Sequence, residues 1–366
     1  MDEDRPKGPL RYGWTTGACA AAAAKAAFNA LVTGHFPDPV SITLPKGETP
    51  AFALARHTLH ADHAEAAIVK DSGDDPDVTH GALILVDVRR GPPGSGVGFE
   101  AGEGVGTVTR PGLPVAVGEP AINPGPRGMI REAIAAVSAA TGSAGDVIVR
   151  VSIPGGEALA RRTLNPRLGI VGGLSVLGTT GIVVPYSCSA WIHSIHRGVD
   201  VARAAGFRHI AGATGSTSEE AVARLFGLEE TALIDMGDFV GGMLKYVRKA
   251  PVDRVSIAGG FAKMTKLGQG LLDLHSRAGA VDLTWLASLA AEAGADRDIQ
   301  ARIGASASAA EALLIGQEAG IDLPGRVAEA ARATVLKLMD GSGVALDTVI
   351  FDREGALLAR TEPQRA

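Results

Sequence analysis

Short strand-like and helix-like runs alternate regularly in the second half of this 366-residue sequence and do not in the first. From residue 181 the order reads strand 181–184, helix 189–205, strand 209–211, helix 218–226, strand 231–236, helix 239–249 and strand 254–258. A mostly helical run over 282–340 follows, and 349–352 closes as a strand. Alternation of this kind needs parallel pairing through right-handed helical crossovers, so the spacing predicts a Rossmann-like α/β domain. The first half differs. A helix over 18–31 starts behind Thr15-Thr16-Gly17, with a Thr N-cap, and strand-like runs follow at 40–44, 66–69, 82–88, 107–109 and 115–117. A helix over 130–140 and a strand over 146–153 complete an α+β pattern. Pro154-Gly155-Gly156 and Gly172-Gly173 punctuate the change of rhythm, which divides the chain into domains 1–165 and 166–366.

Composition narrows the function. There are 48 glycines where an average chain of this length has roughly 26, so the excess belongs to tight turns and ligand loops. The net charge is −5 and aromatic residues are few, which argues against a nucleic-acid partner. An anionic ligand must then be met by local arginines. Two cysteines, Cys19 and Cys188, exclude a disulfide framework or a cysteine-rich zinc site and suit a reducing cytoplasm. The start Met1-Asp2-Glu3-Asp4-Arg5 is acidic and unlike a signal peptide, and the alanine run 18–24 is too short to span a membrane.

Glycine-rich segments must be judged by context. Residues 100–106 match the ExGxGxG pattern of common S-adenosylmethionine (SAM) methyltransferases, but Thr107-Val108-Thr109 cannot open the helix that the pattern requires. A turn between strands is the better reading. Gly212-Ala213-Thr214-Gly215 has the right context: a strand precedes it, and Ser216 with Glu219 reads as a capping box opening a helix. Asp235 ends the next strand at the distance where a carboxylate meets a ribose hydroxyl, and Gly259-Gly260 adds a loop at the same strand ends. Gly212, Thr214, Gly215, Asp235 and Gly259 are therefore candidates for the adenosine part of a nucleotide or of SAM, against the plain alternative of a strand–turn–helix joint. Lys263, Lys266 and His275 follow in the same region.

Residues 69–81 gather Asp71, Asp74, Asp75, Asp77 and His80 without the spacing of a calcium loop. Four crowded aspartates raise one another's pKa, which suits a general base; they also suit a cation such as a sulfonium. The alternative is a solvated loop of Asp-capped turns. Arg11, Arg127, Arg131, Arg161, Arg162 and Arg167 form groups able to fork onto carboxylates of a polyacidic ligand. His193 and His196 lack a third ligand nearby, and no metal site is assigned.

These words resemble a known family. Segments 11–21, 69–81, 104–112, 121–127 and 178–187, with His275-Ser276-Arg277, are similar to the cobalt-precorrin-5B C(1)-methyltransferase family of anaerobic cobalamin biosynthesis. One departure is Gly259-Gly260-Phe261-Ala262-Lys263, where a Gly-Lys pair is expected. The resemblance implies methyl transfer from SAM to C-1 of cobalt-precorrin-5B, giving cobalt-precorrin-6A, with cobalt present only in the tetrapyrrole substrate. It implies a ribosomal-S5-like N-terminal domain beside the Rossmann-like part. It also implies a cytoplasmic enzyme in transient contact with pathway neighbours. Asp71, Asp74 and His80 become base or sulfonium-stabilising candidates. Arg11, Thr15, Thr16, Arg127, Arg131, Arg161 and Arg162 become substrate-binding candidates. Other readings are the same reaction on a cobalt-free precorrin, an ATP-using small-molecule kinase, and a non-enzymatic corrinoid carrier. The kinase lacks a GxxxxGK[ST] loop here.

Overall fold

The computed structural model describes residues 8–366, so the acidic start at 1–5 lies outside the described residues. The chain divides into two compact units, the first ending at Ser187 and the second running Cys188–Ala366.

The first unit contains β1 (Gly13–Trp14), α1 (Thr16–Thr33), β2 (Val40–Ser41), β3 (Ala51–Phe52), β4 (Arg56–Leu59) and β5 (His63–Val69). It continues with β6 (Leu83–Arg90), β7 (Val97–Ala101), β8 (Thr107–Val108), α2 (Pro124–Thr141), β9 (Val147–Ser152), α3 (Gly156–Ala160), β10 (Ile170–Val171) and β11 (Ile182–Val183). Five strands form a sheet in the order β4-β5-β6-β9-β7, antiparallel except for the β7–β9 pair. Helix α1 packs against β5, β6 and α2. Ala18 and Ala20 through Ala24 are fully buried, as are Cys19 and Phe28. Only Lys25, Asn29 and the last turn of α1 reach the surface, and the small side chains of the rest let sheet and helix backbones close on it from two sides. Residues 166–187 belong to this unit, because β10 pairs with β8 and β11 with β1. The boundary therefore falls later than the 165/166 division read from the sequence.

The second unit contains α4 (Cys188–Ala204), β12 (His209–Ala213), α5 (Ser216–Phe226), β13 (Leu233–Asp235), α6 (Val240–Val247), β14 (Arg254–Gly260) and α7 (Phe261–Gly268). Then come α8 (Leu283–Glu292), α9 (Arg297–Gly304), α10 (Ala309–Glu318), α11 (Leu323–Met339), β15 (Ala345–Phe351), β16 (Leu357–Arg360) and β17 (Gln364–Arg365). The sheet order is β13-β12-β14-β15-β16, with the first four strands parallel, as strand–helix alternation requires. The mixed α/β class expected from the sequence is the one observed.

Local expectations needed correction in places. Residues 115–117 form no strand: Pro111 and Pro114 interrupt the run, and the segment turns before Pro120 meets Thr107 in an antiparallel bridge. Gly212 lies inside β12 rather than in the turn, and Gly259 and Gly260 end β14 rather than forming a loop. No capping box forms at α5, whose N-cap is Gly215 without a side-chain cap bond. Strand β8, not a helix, follows residues 100–106, as the rejection of the ExGxGxG reading required.

Candidate active site

The start of α1 is where distant segments of the first unit meet. Thr15 caps the helix, its Oγ1 accepting from the Ala18 amide at 3.2 Å, and the Thr15 amide donates to the Gly181 carbonyl at 2.9 Å. Residues 11–14 run beside 71–74. The Trp14 amide donates to the Asp71 carbonyl at 2.7 Å, the Asp74 amide to the Arg11 carbonyl at 2.9 Å, and the Arg11 amide to Asp74 Oδ2 at 2.6 Å. Two glycines permit this approach. A Cβ on Gly13 would come 2.0 Å from the Ser72 carbonyl carbon, and one on Gly73 (φ +67°) 2.1 Å from the Arg11 oxygen. The Arg11 guanidinium forks onto the Asp71 carboxylate. Arg11, Asp71, Asp74 and Thr15 are thus brought together; Thr16 is buried in the first turn.

Asp71, Asp75 and Asp77 do not shift together, because each has its own partner. The Arg11 hydrogen bonds, then the Gly73 amide, pull Asp71 below the ordinary carboxylate range. Burial alone would raise Asp77, but the Lys70 charge and hydrogen bonds outweigh it and lower the group. Asp75 moves the other way, raised mainly by burial although it accepts from the Tyr186 amide at 2.8 Å. His80 Nδ1 accepts from the Ser72 amide at 3.1 Å and lies 3.9 Å from Asp71 Oδ1. With that lone pair engaged, the neutral ring carries its proton on Nε2. Asp71 is therefore a fixed negative charge, and Asp75 is the loop carboxyl shifted toward neutrality.

Arg127, Arg131 and Arg161 make contacts elsewhere in the first unit. Arg127 donates to the Ile122 carbonyl at 2.8 Å, the Pro120 carbonyl at 3.1 Å and Glu119 at 3.1 Å, bracing the turn before α2. Arg127 and Arg131 both lie 5.1 Å from the Phe99 ring centroid. Arg161 and Arg162 follow α3, with Arg161 3.8 Å from Glu157.

At the carboxyl end of the parallel sheet of the second unit, register aligns three strand termini. Ala213 is level with Asp235 on one side and Ala258 on the other, so Thr214-Gly215, Asp235 and Gly259-Gly260 share one edge. Such an edge is where open α/β sheets bind ligands. Lys263 on α7 donates to the Thr214 carbonyl at 2.7 Å and lies 3.1 Å from Asp238, linking the segments after β12, β13 and β14. Gly215 and Gly260 border open space, with no atom within 4 Å of a Cβ placed there. By contrast Gly212 is small because Met243 and Met236 sulfurs would lie 2.6 and 2.8 Å from its Cβ, and Gly259 because Thr214 Oγ1 would lie at 2.8 Å.

Two features of these clusters escaped sequence reading. Lys70 is only 1% exposed, and its ammonium binds Ser72 and, at 2.7 Å, Asp77. The signal was there: Ala64, Ala66 and Ile68 face inward from β5, and period-two alternation puts Lys70 on the same face. A buried cation then requires a nearby anion. Asp238, the partner of Lys263, carries no comparable signal. Cys19 is a core residue, its thiol pushed up to about 12 by burial.

Comparison with known proteins gives a consistent result. The CbiD family model matches residues 3–185, and the model of the CbiD C-terminal domain matches residues 273–362. A protein of Bradyrhizobium sp. (strain BTAi1), named cobalt-precorrin-5B C(1)-methyltransferase, is 60% identical over 96% of this chain and 94% of its own length. A protein of the same name from Brucella canis is 57% identical over 97% of this chain and 96% of its own. The 1.9 Å crystal structure of a cobalamin biosynthesis protein (cbiD) from Archaeoglobus fulgidus shares 25% identity over 86% of each chain at a TM-score of 0.40, too distant to argue from. With family models matching both ends of the chain and relatives aligned over nearly all of it, the chain belongs to the CbiD family.

Proposed function

We propose that this chain transfers the methyl group of SAM to C-1 of cobalt-precorrin-5B, giving cobalt-precorrin-6A in cobalamin biosynthesis. The observation that carries the reading is 57–60% identity, over nearly the whole chain, to proteins named for that reaction. Cobalt enters with the tetrapyrrole and is substrate, not a resident metal.

The edge formed by Thr214, Gly215, Asp235 and Gly260 suits SAM. The open space beside Gly215 and Gly260 admits a ligand close to backbone, and Asp235 ends β13 in register with Ala213, the strand-end position from which a carboxylate reaches ribose hydroxyls in dinucleotide-type sites. SAM supplies a methyl group on a positively charged sulfur. Methyl transfer is an in-line displacement, so the protein's contribution is placement and electrostatics. In the first unit, Arg11 exchanges its Asp71 partner for a carboxylate of the macrocycle, an exchange that an exposed ion pair allows at small cost. Asp71 and Asp74 keep the neighbourhood negative. Asp75, with its raised pKa, is the loop carboxyl suited to take a proton from the macrocycle, and His80 Nε2 serves as a donor. Arg131, Arg161 and Arg162 remain candidates for peripheral carboxylates, while Arg127 braces its own turn.

Among the described residues no helix is long and apolar enough to cross a membrane. Two unpaired cysteines suit a reducing cytoplasm, where neighbouring pathway enzymes hand over the substrate by transient contact. The test is anaerobic incubation of the chain with cobalt-precorrin-5B and SAM, followed by mass spectrometry of the corrinoid. A gain of one methyl, located at C-1, is expected. No gain with active substrate present overturns the reading, and a gain only on the cobalt-free precorrin moves the substrate assignment.

A further inference from the structure

The geometry points to a divalent transition-metal site at the turn between β4 and β5, formed by His60, His63, Glu65 and Asp87. Three of the nine histidines, His57, His60 and His63, fall within seven residues of sequence at this hairpin. The turn is closed by the His60 amide donating to the His63 carbonyl at 2.9 Å, which sets the two side chains beside each other. Their rings stack at 4.1 Å between centroids and 9° between planes. His60, His63 and Glu65 each offer a donor atom within 4.8 Å of the other two. Donors 2.1 Å from a tetrahedral ion are about 3.4 Å apart, so closure needs only side-chain rotation at a partly exposed turn.

Two further residues make this more than a group of polar side chains. His63 Nδ1 donates to Asp62 Oδ1 at 2.8 Å, the outer-shell carboxylate–histidine pairing that aims a metal-binding imidazole and leaves Nε2 to coordinate. Nε2 lies 3.5 Å from Asp87 Oδ2. Asp87 stands directly across from Glu65 in the β5–β6 ladder, so both carboxylates occupy the same sheet face as His63. Like charges directly opposite are unfavourable in a sheet, and a cation between them removes the conflict. Arg56, now 3.2 Å from Glu65, is an exposed partner that one carboxylate oxygen can release. Two imidazoles with two carboxylates suit zinc, cobalt(II) or nickel(II) rather than calcium or magnesium. The site lies on the outer face of the first unit's sheet and uses none of the residues assigned to methyl transfer.

The experiment is titration of the full chain with cobalt(II) alone, read by visible absorption, then displacement by zinc. One equivalent of cobalt with intense d–d bands is expected. Affinity is expected to fall at least tenfold in His60→Ala and in His63→Ala, and to fall to a similar or smaller extent in Asp62→Asn, which leaves all four ligands in place. His193→Ala/His196→Ala, at the other histidine pair, is expected to bind as the parent does. Absence of stoichiometric binding, unchanged affinity in His63→Ala, or loss of binding in the His193/His196 variant overturns the proposal.

Discussion

Around Asp71 the polar groups are fixed by ion pairs between loops, whereas at the ends of β12, β13 and β14 they are fixed by strand register. In the first region Arg11 and two glycines hold together segments some sixty residues apart in sequence, and Lys70 ties the aspartate loop to itself through Asp77. In the second, backbone ladders bring Thr214, Asp235 and Gly260 to one edge, and Lys263 joins them. The difference teaches where each is vulnerable. A loop cluster depends on a few contacts that each remove a large conflict, while an edge in register spreads the same task over many hydrogen bonds.

The comparison breaks most sharply at Gly13. A Cβ there meets the Ser72 backbone at 2.0 Å, which no side-chain rotation relieves, so Gly13→Ala is expected to cost more than about 3 kcal/mol in denaturant unfolding and to abolish methyl transfer. Gly260→Ala, with φ −72° and open space, is expected to leave stability within about 0.5 kcal/mol while weakening SAM binding. Lys70→Met comes next. It strands the mostly buried Asp77, at an expected cost of about 3 kcal/mol, and Lys70→Met/Asp77→Asn recovers part of that loss.

A smaller effect tests the sheet of the second unit by pH. Burial, with Arg254 adding to it, lowers His209 to about 4, and its Nε2 lies 2.8 Å from Ser256 Oγ. The unfolded chain binds a proton near pH 6.5 that the folded chain refuses until about pH 4. Stability is therefore full above 6.5 and declines as pH falls from 6.5 to 4, by about 1–2 kcal/mol after allowing for partial exposure. Urea unfolding at pH 7 and pH 4.5 reads the decline, which His209→Asn is expected to flatten. Arg11→Ala is also expected to change stability little, because the pair with Asp71 is exposed, yet methyl transfer is expected to fall at least tenfold. A stability loss as large as that of Lys70→Met would make Arg11 a structural brace instead.

The parallel sheet was legible because alternation of strands and helices leaves few topologies, and that frame is what put Thr214, Gly215 and Asp235 at neighbouring strand ends. Gly212 and Gly259 were misplaced because a glycine after a short β-branched run reads as a turn, when here it makes room for methionine sulfurs or for Thr214 Oγ1. In the first unit the resemblance brought Arg11, Thr15 and the aspartate loop into view, but their partners were not local. Nothing near Asp71 in sequence announces Arg11, and nothing near Arg127 announces that it spends its donors on the Ile122 and Pro120 carbonyls. Lys70 was legible in principle, from the inward parity of β5.

The central claim is a division of labour, with SAM held at the β12–β14 edge and the corrinoid met by the Arg11 cluster. Equilibrium binding of SAM and of cobalt-precorrin-5B, each measured on Asp235→Asn and on Arg11→Ala, tests it most directly. The account predicts that Asp235→Asn raises the Kd for SAM at least tenfold and leaves corrinoid binding unchanged, with Arg11→Ala doing the reverse. Unchanged SAM affinity in Asp235→Asn, or unchanged corrinoid affinity in Arg11→Ala, would contradict it.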